Sequence, residues 1–167
     1  MRGTSLETAL EKVGRVITDR YGLRLVCKGE QCRTDGHTIF LPSMPDDVDP
    51  GLLGAIRGWA DHEVSHILHT ETALARPFKA QHGREAFTIL NVLEDARVEA
   101  LMAERYPGSR INLASGYRWV QERAASGRTR RVGPFGLRSW LVGPGQRAGL
   151  SVTWGRSELA PLLSSGG

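Results

Sequence analysis

The sequence lacks long apolar runs, a cysteine framework and internal repeats. No segment of its 167 residues approaches the roughly 18 consecutive apolar residues that a membrane-spanning helix needs. The N-terminus also lacks the apolar core of a secretion signal, so the sequence predicts a cytoplasmic protein without a membrane segment. Its two cysteines, Cys27 and Cys32, are too few for a disulfide scaffold and miss the Cys-x-x-Cys spacing of zinc and redox motifs. We therefore expect both thiols to be reduced.

Acidic residues are scarce in the last third of the chain. Residues 106–167 contain nine arginines but only two glutamates, Glu122 and Glu158. From residue 126 to residue 167 arginine, glycine and proline predominate, which is typical of a linker or a partly ordered tail. A basic segment of this kind favours an acidic protein partner, or a nucleic acid whose phosphates the arginines would contact.

Residues 1–125 show the pattern of a folded domain that mixes helices and strands. Alternating apolar residues predict two short strands, and apolar residues at helical spacing predict four helices. The strands span residues 23–26 and 37–41. The helices begin near residues 4, 49, 84 and 111 and end near residues 21, 76, 105 and 123. Pro77 is expected to end the second helix, because proline disrupts a helix interior.

The second predicted helix carries the motif His62-Glu63-Val64-Ser65-His66. A spacing of four residues places both imidazoles on one helix face, one turn apart, so that they can bind the same metal ion. A catalytic zinc ion has three protein ligands and lowers the pKa of its bound water to ~7. Glu63 lies about 100° around the helix from His62, where it can contact that water. The motif therefore predicts a Zn²⁺ site with His62 and His66 as ligands and Glu63 as general base.

The third predicted helix offers three carboxylates for the remaining ligand position. Helical phase places Glu94 in an apolar stripe with Leu90 and Leu101, where an unpaired charge would be costly. Asp95 and Glu99 point further around the helix. We therefore expect Glu94 to be the third ligand, with Asp95 and Glu99 as alternatives.

Other polar residues near the motif are expected to orient the ligands. His69 lies on the same face as His62 but about 10 Å along the helix axis, too far to share one ion. His69 is expected at the rim of the cleft that would hold the metal ion, or in contact with one of the residues that bind the ion. Asp95, Arg97 or Glu99 would orient a ligand histidine, as groups around metal ligands commonly do.

Three stretches of the chain resemble the N-terminal region of CobT-like proteins, including cobaltochelatase-subunit-like and peptidase-like proteins of bacteriophages. They are residues 34–42, residues 62–70, and residues 91–99 with 106–108. A His-Glu-x-x-His helix followed by a glutamate-bearing helix is also similar to the gluzincin metallopeptidases. The resemblance implies a zincin-like α+β fold in a bacterial or phage-infected cell. Its small sheet would place the edge strand Ile39-Phe40-Leu41 beside the cleft, where an extended substrate can pair with it.

These observations lead to functions of different classes. The first is a zinc metallopeptidase that acts on a protein or peptide, with Glu63 taking the proton of water and returning it to the leaving amine. The alternative is a non-proteolytic metal-binding or assembly module of CobT type, which acts with an AAA+ ATPase and does not need Glu63 as a base. A third is nucleic-acid binding through the basic residues 126–167.

Overall fold

The computed structural model describes residues 3–126, so the predicted Arg-rich tail lies outside the described residues except for Ser126. Within this part the chain forms α1 (Gly3–Thr18), β1 (Arg24–Cys27), β2 (Arg33–Thr34), β3 (Thr38–Leu41), α2 (Pro50–His69), α3 (Thr72–Arg105) and α4 (Pro107–Ala125). The α+β class is as predicted. None of the helices described is long and apolar enough to pass through a membrane.

The three strands form one mixed sheet in the order β1-β3-β2. β1 runs parallel to β3, and β2 is antiparallel to it. The prediction that Ile39-Phe40-Leu41 forms an edge strand is therefore wrong, because β3 is central and the edges are formed by β1 and β2. β2 was not predicted, since two residues are too few to show alternation. The Asp35 carboxylate accepts the backbone N–H groups of His37 and Thr38 at 2.9 and 2.7 Å, which turns the chain from β2 into β3.

Helix α2 begins as predicted but ends earlier. The Asp49 side chain accepts two backbone N–H groups of the first turn, and Pro50 occupies the first helical position. The helix ends at His69, where Thr70 adopts an extended conformation with φ −84° and ψ 130°. The predicted end near residue 76 is therefore wrong, and Pro77 lies inside α3 instead.

Helix α3 is kinked at Gly83, whose φ of 82° and ψ of −178° are not helical. Glycine adopts this left-handed φ without steric cost because it has no Cβ. The part of α3 after Gly83 agrees with the predicted helix over residues 84–105. Across the kink, the Lys79 ammonium is 5.4 Å from the centre of the Phe87 ring.

Helix α2 is buried nearly all around its circumference. It packs against α1, α3, α4 and β3, and residues 55–65 are buried apart from exposed Arg57. The side chains of His62 and Glu63, two residues of the motif, are only 2% and 3% exposed. The motif therefore lies in the interior, where polar atoms need hydrogen-bond partners or bound ions.

Helices α2 and α4 approach each other closely at Gly58. A Cβ at this position would overlap the carbonyl oxygen of Asn112 and come within 3.1 Å of the backbone nitrogen of Gly116. A Cβ at Gly116 would lie 3.6 Å from the Gly58 Cα. The two glycines thus allow the backbone contact that seats α4 against the motif helix.

We expect Gly58→Ala to destabilise the domain, because the added Cβ must move α4 away from α2. Overpacking of this kind lowers the free energy of unfolding by about 1–3 kcal/mol. Gly108→Ala is the matched control, since a Cβ there meets no atom within 4 Å. Urea denaturation of both variants, followed by circular dichroism, measures the difference. A Gly58→Ala protein as stable as the unmodified chain would contradict the close contact.

Candidate metal centre

Two histidines of α2 and one aspartate of α3 form a cluster of ligand atoms. One such atom from each of His62, His66 and Asp95 lies within 4.8 Å of the others. His66 Nε2 is 3.2 Å from Asp95 Oδ1, and the two imidazole centres are 4.7 Å apart. The structure thus brings the predicted histidine pair together with Asp95. Two imidazole nitrogens and a carboxylate oxygen at this spacing can hold one divalent ion.

The orientation of His62 is set from α3 and α4. Its Nδ1 lies 2.8 Å from Oε1 of Glu99. The Tyr117 hydroxyl donates to both oxygens of Glu99, at 2.8 and 2.9 Å. Because an ionised carboxylate can only accept, Nδ1 of His62 is the donor and Nε2 is the nitrogen that can bind a metal.

The orientation of His66 is set by a hydroxyl at the end of α2. His66 Nδ1 lies 2.8 Å from the Thr70 hydroxyl, which donates to Oε1 of Glu94 at 2.9 Å. A hydroxyl has one proton, so Thr70 accepts the Nδ1–H of His66 while it donates to Glu94. His66 therefore presents Nε2, the atom beside Asp95, as its metal-binding nitrogen.

Glu94, the expected third ligand, is bound by Arg97 and lies outside the cluster. The Arg97 Nε and Nη2 atoms donate to its two carboxylate oxygens at 2.7 Å each. Nη2 also donates to the carbonyl oxygen of His69 at 2.7 Å. Burial alone would raise the pKa of Glu94, but the hydrogen bonds and charge of Arg97 outweigh it and lower the pKa. Glu94 thus reaches His66 through the Thr70 hydroxyl, and Arg97 holds Glu94 in that position.

The rotation of α3 explains why Asp95 rather than Glu94 joins the histidines. Asp95 and Glu99 are 5% and 6% exposed, on the same buried face as Val98 and Met102. Leu101 is 36% exposed. The predicted stripe through Leu90, Glu94 and Leu101 is therefore not the face of α3 that is buried. Single apolar residues are common on protein surfaces, and periodicity alone does not identify the stripe that meets another helix.

The predicted base, Glu63, lines the same cleft as His62 and His66. Burial raises the pKa of its carboxyl, although both histidines act in the opposite direction. Burial alone would lower the pKa of His62, but Glu99, Glu63 and Asp95 together raise it to about 9. A metal ion that binds His62 below this pH must therefore displace a proton.

His69, expected at the rim of the cleft, belongs neither to the cluster nor to the residues that line the cleft. Its Nε2 atom is buried and has no hydrogen-bond partner among residues 3–126. Burial and the charges of Arg97 and Arg105 lower its pKa, which favours the neutral ring. Its backbone carbonyl, rather than its imidazole, accepts a hydrogen bond from Arg97, the residue that also binds Glu94.

An open cleft of about 780 Å³ is lined by the cluster together with residues of β2 and the loop that follows it. Cys32 and Arg33 are among the lining residues that the sequence did not indicate, and burial raises the pKa of the Cys32 thiol. Thr70 follows His66 by four residues, a helical spacing that indicates contact. Tyr117 has no such local signal, because it reaches Glu99 from a different helix.

Comparison with known proteins identifies one family. The family model described as "Cobalamin biosynthesis protein CobT" matches residues 3–134, which include every helix and strand described above. Searches of the curated proteins and of the solved structures gave no match.

Replacing the Thr70 hydroxyl is expected to weaken metal binding. Thr70→Val keeps the shape of the side chain but removes the acceptor for His66 Nδ1–H, so zinc affinity should fall by about 10–100-fold, as for other groups that orient metal ligands. Thr70→Ser retains the hydroxyl and is the matched control. Competition titration with a fluorescent zinc chelator measures both. Equal affinities of the two variants would contradict the assigned role of the hydroxyl.

Proposed function

The chain belongs to the CobT family, and from this membership we propose that it is a metal-binding module of cobaltochelatase type. The observation that carries the proposal is the cluster of His62, His66 and Asp95, whose ligand atoms lie within 4.8 Å of one another. A partner AAA+ ATPase is part of this proposal. The bound ion would tie α2 to α3 and thereby hold the cleft in its shape.

The donor set supports a transition metal ion as the occupant. Imidazole nitrogen suits zinc and its first-row neighbours, whereas calcium and magnesium prefer sites made entirely of oxygen atoms. Three protein ligands leave a coordination position open, as in catalytic rather than structural zinc sites. Both histidines are held by hydrogen bonds at Nδ1, so Nε2 is the atom that can bind the ion. We therefore assign Zn²⁺ as the resident ion, with His62, His66 and Asp95 as its ligands.

A second candidate function, peptide hydrolysis, is supported by the position of Glu63. This carboxylate lines the cleft beside both histidines, and burial raises its pKa toward the range in which a carboxylate serves as a base. The ion would supply Lewis-acid polarisation when bound. Glu63 would accept a proton from the attacking water and pass it to the leaving amine.

Metal analysis tests the assigned ligands. We expect about one zinc ion per chain by elemental analysis, and Asp95→Asn should lose it after dialysis because a neutral amide is a poor ligand. Glu94→Gln is the matched control on the same helix and should reduce zinc affinity by no more than about 10–100-fold, as a group that acts through Thr70. Loss of the ion from Glu94→Gln but not from Asp95→Asn would make Glu94 the ligand. A folded chain that binds no zinc would contradict both candidate functions.

Glu63→Gln separates the two candidate functions. The substitution keeps the size of the side chain and all three assigned ligands, so zinc should stay bound. If the protein is a peptidase, cleavage of a diverse peptide library should fall by at least ~100-fold, as for other lost general bases. Under the module proposal the unmodified protein cleaves no peptide, and the binding of a partner ATPase is the same with Glu63→Gln. Zinc-dependent cleavage that Glu63→Gln abolishes would overturn the module as the main function.

A further inference from the structure

Positive charge lines the cleft as well as the metal-binding cluster. Arg20 and Arg33 are among the lining residues. Arg20 is engaged by the chain itself, since its Nη1 donates to the carbonyl oxygen of Gly36 at 2.7 Å. Arg33 extends from β2, one of the two edge strands of the sheet. The guanidinium of Arg33 is therefore the better candidate to contact a ligand.

An aromatic ring holds the Arg33 guanidinium in place. Its central carbon lies 3.7 Å from the centre of the Phe40 ring, within the range of a cation–π contact. Arg33 and Phe40 are direct partners across the β2–β3 pair, and such partners lie on the same face of a sheet. Phe40 belongs to the central strand, so the guanidinium rests on an ordered platform. Ordering the arginine in advance lowers the entropy cost of binding a ligand.

The charge of Arg33 is not neutralised by an ion pair in the described chain. Arg33 takes part in none of the ion pairs described between residues 3 and 126, whose basic members include Arg15, His62, His66 and Arg97. The Arg33 charge acts on the carboxyl groups of two residues that line the cleft, Asp35 and Glu63, and in both it favours the ionised form over the protonated one, which lowers the pKa. A divalent ion in the cluster would add two positive charges to those of Arg20 and Arg33. Together they would offset the four carboxylates of Asp35, Glu63, Asp95 and the adjoining Glu99, so the loaded cleft would not repel an anion that contacts Arg33.

We propose that Arg33 anchors a carboxylate of the molecule that enters this cleft, while another donor atom of the same molecule binds the metal ion. A planar guanidinium matches the two oxygens of a carboxylate and forms charge-assisted hydrogen bonds with them. The ligand class is therefore a carboxylate-bearing chelator. The inference rests on the proposed metal site, and it adds a second point of attachment at the sheet edge.

Paired hydroxamic acids test the two-point attachment. The hydroxamate group binds zinc, and one series also carries a terminal carboxylate one, two or three methylenes away (the monohydroxamates of malonic, succinic and glutaric acid). Uncharged alkyl hydroxamates of equal length form the second series. Isothermal titration of the zinc-loaded protein should show about tenfold tighter binding of the charged partner at one or more of the lengths, the size expected of a partly exposed charge-assisted contact.

Variants of Arg33 locate the source of that preference. Arg33→Gln should make each charged probe bind as weakly as its uncharged partner, and Arg33→Lys should keep a reduced preference because it retains the charge without the planar fork. Arg57→Gln is the matched control, since Arg57 is an exposed arginine of α2 that does not line the cleft. Thermal melting confirms that the variants are folded.

The possible failures are distinguishable. Zinc content is measured first, and a folded chain without zinc would contradict the proposed function and the inference with it. Zinc-loaded protein that binds both series equally, or neither, would overturn the inference and leave the metal site standing. If Arg33→Gln still prefers the charged probes, the preference comes from the electrostatic attraction of the zinc ion. That result would overturn the proposal that Arg33 anchors the carboxylate.

Discussion

The hydrogen bond between His62 and Glu99 is the contact on which the rest of the centre depends. Both side chains are buried, and an unpaired charge in the interior would be strongly destabilising. Their contact fixes the rotation of α3 against α2, and Tyr117 adds α4 to the same network. Once α3 has this rotation, Asp95, one turn before Glu99, must face the histidine pair. The geometry of the cluster is thus a consequence of satisfying buried polar atoms.

The parts of this arrangement set by local geometry could be predicted from the sequence. The His62–His66 spacing, the Asp49-Pro50 helix start and the α+β class depend on helical periodicity and capping within a few residues. The choice of Asp95 over Glu94 could not be predicted, because it depends on how α3 is rotated against α2. The contact between Gly58 and α4 likewise joins segments more than 50 residues apart. The features that could not be predicted from the sequence are those that depend on packing between segments far apart in the chain.

The sheet order bears on the choice between the candidate functions. An extended substrate pairs with an exposed strand edge, and long edges provide many backbone hydrogen bonds. Here the strand that was expected to provide the edge is paired on both sides, and β2, the edge strand that lines the cleft, has only two residues. So short an edge offers little backbone for a peptide to bind. A cleft of this kind suits a compact ligand held by side chains better than an extended chain.

The charges around the cluster give a physical reason for metal binding without reference to catalysis. Glu63, Asp95 and Glu99 place three buried carboxylates beside His62, and they raise its pKa to about 9. Below that pH a proton on His62 offsets part of the negative charge. A divalent ion bound at Nε2 would replace that proton with twice the charge and would also lie beside Asp95. The excess of buried acid would therefore favour binding of a divalent ion. The charge of that ion would stabilise Glu63 as a carboxylate in the interior, whether or not Glu63 transfers a proton.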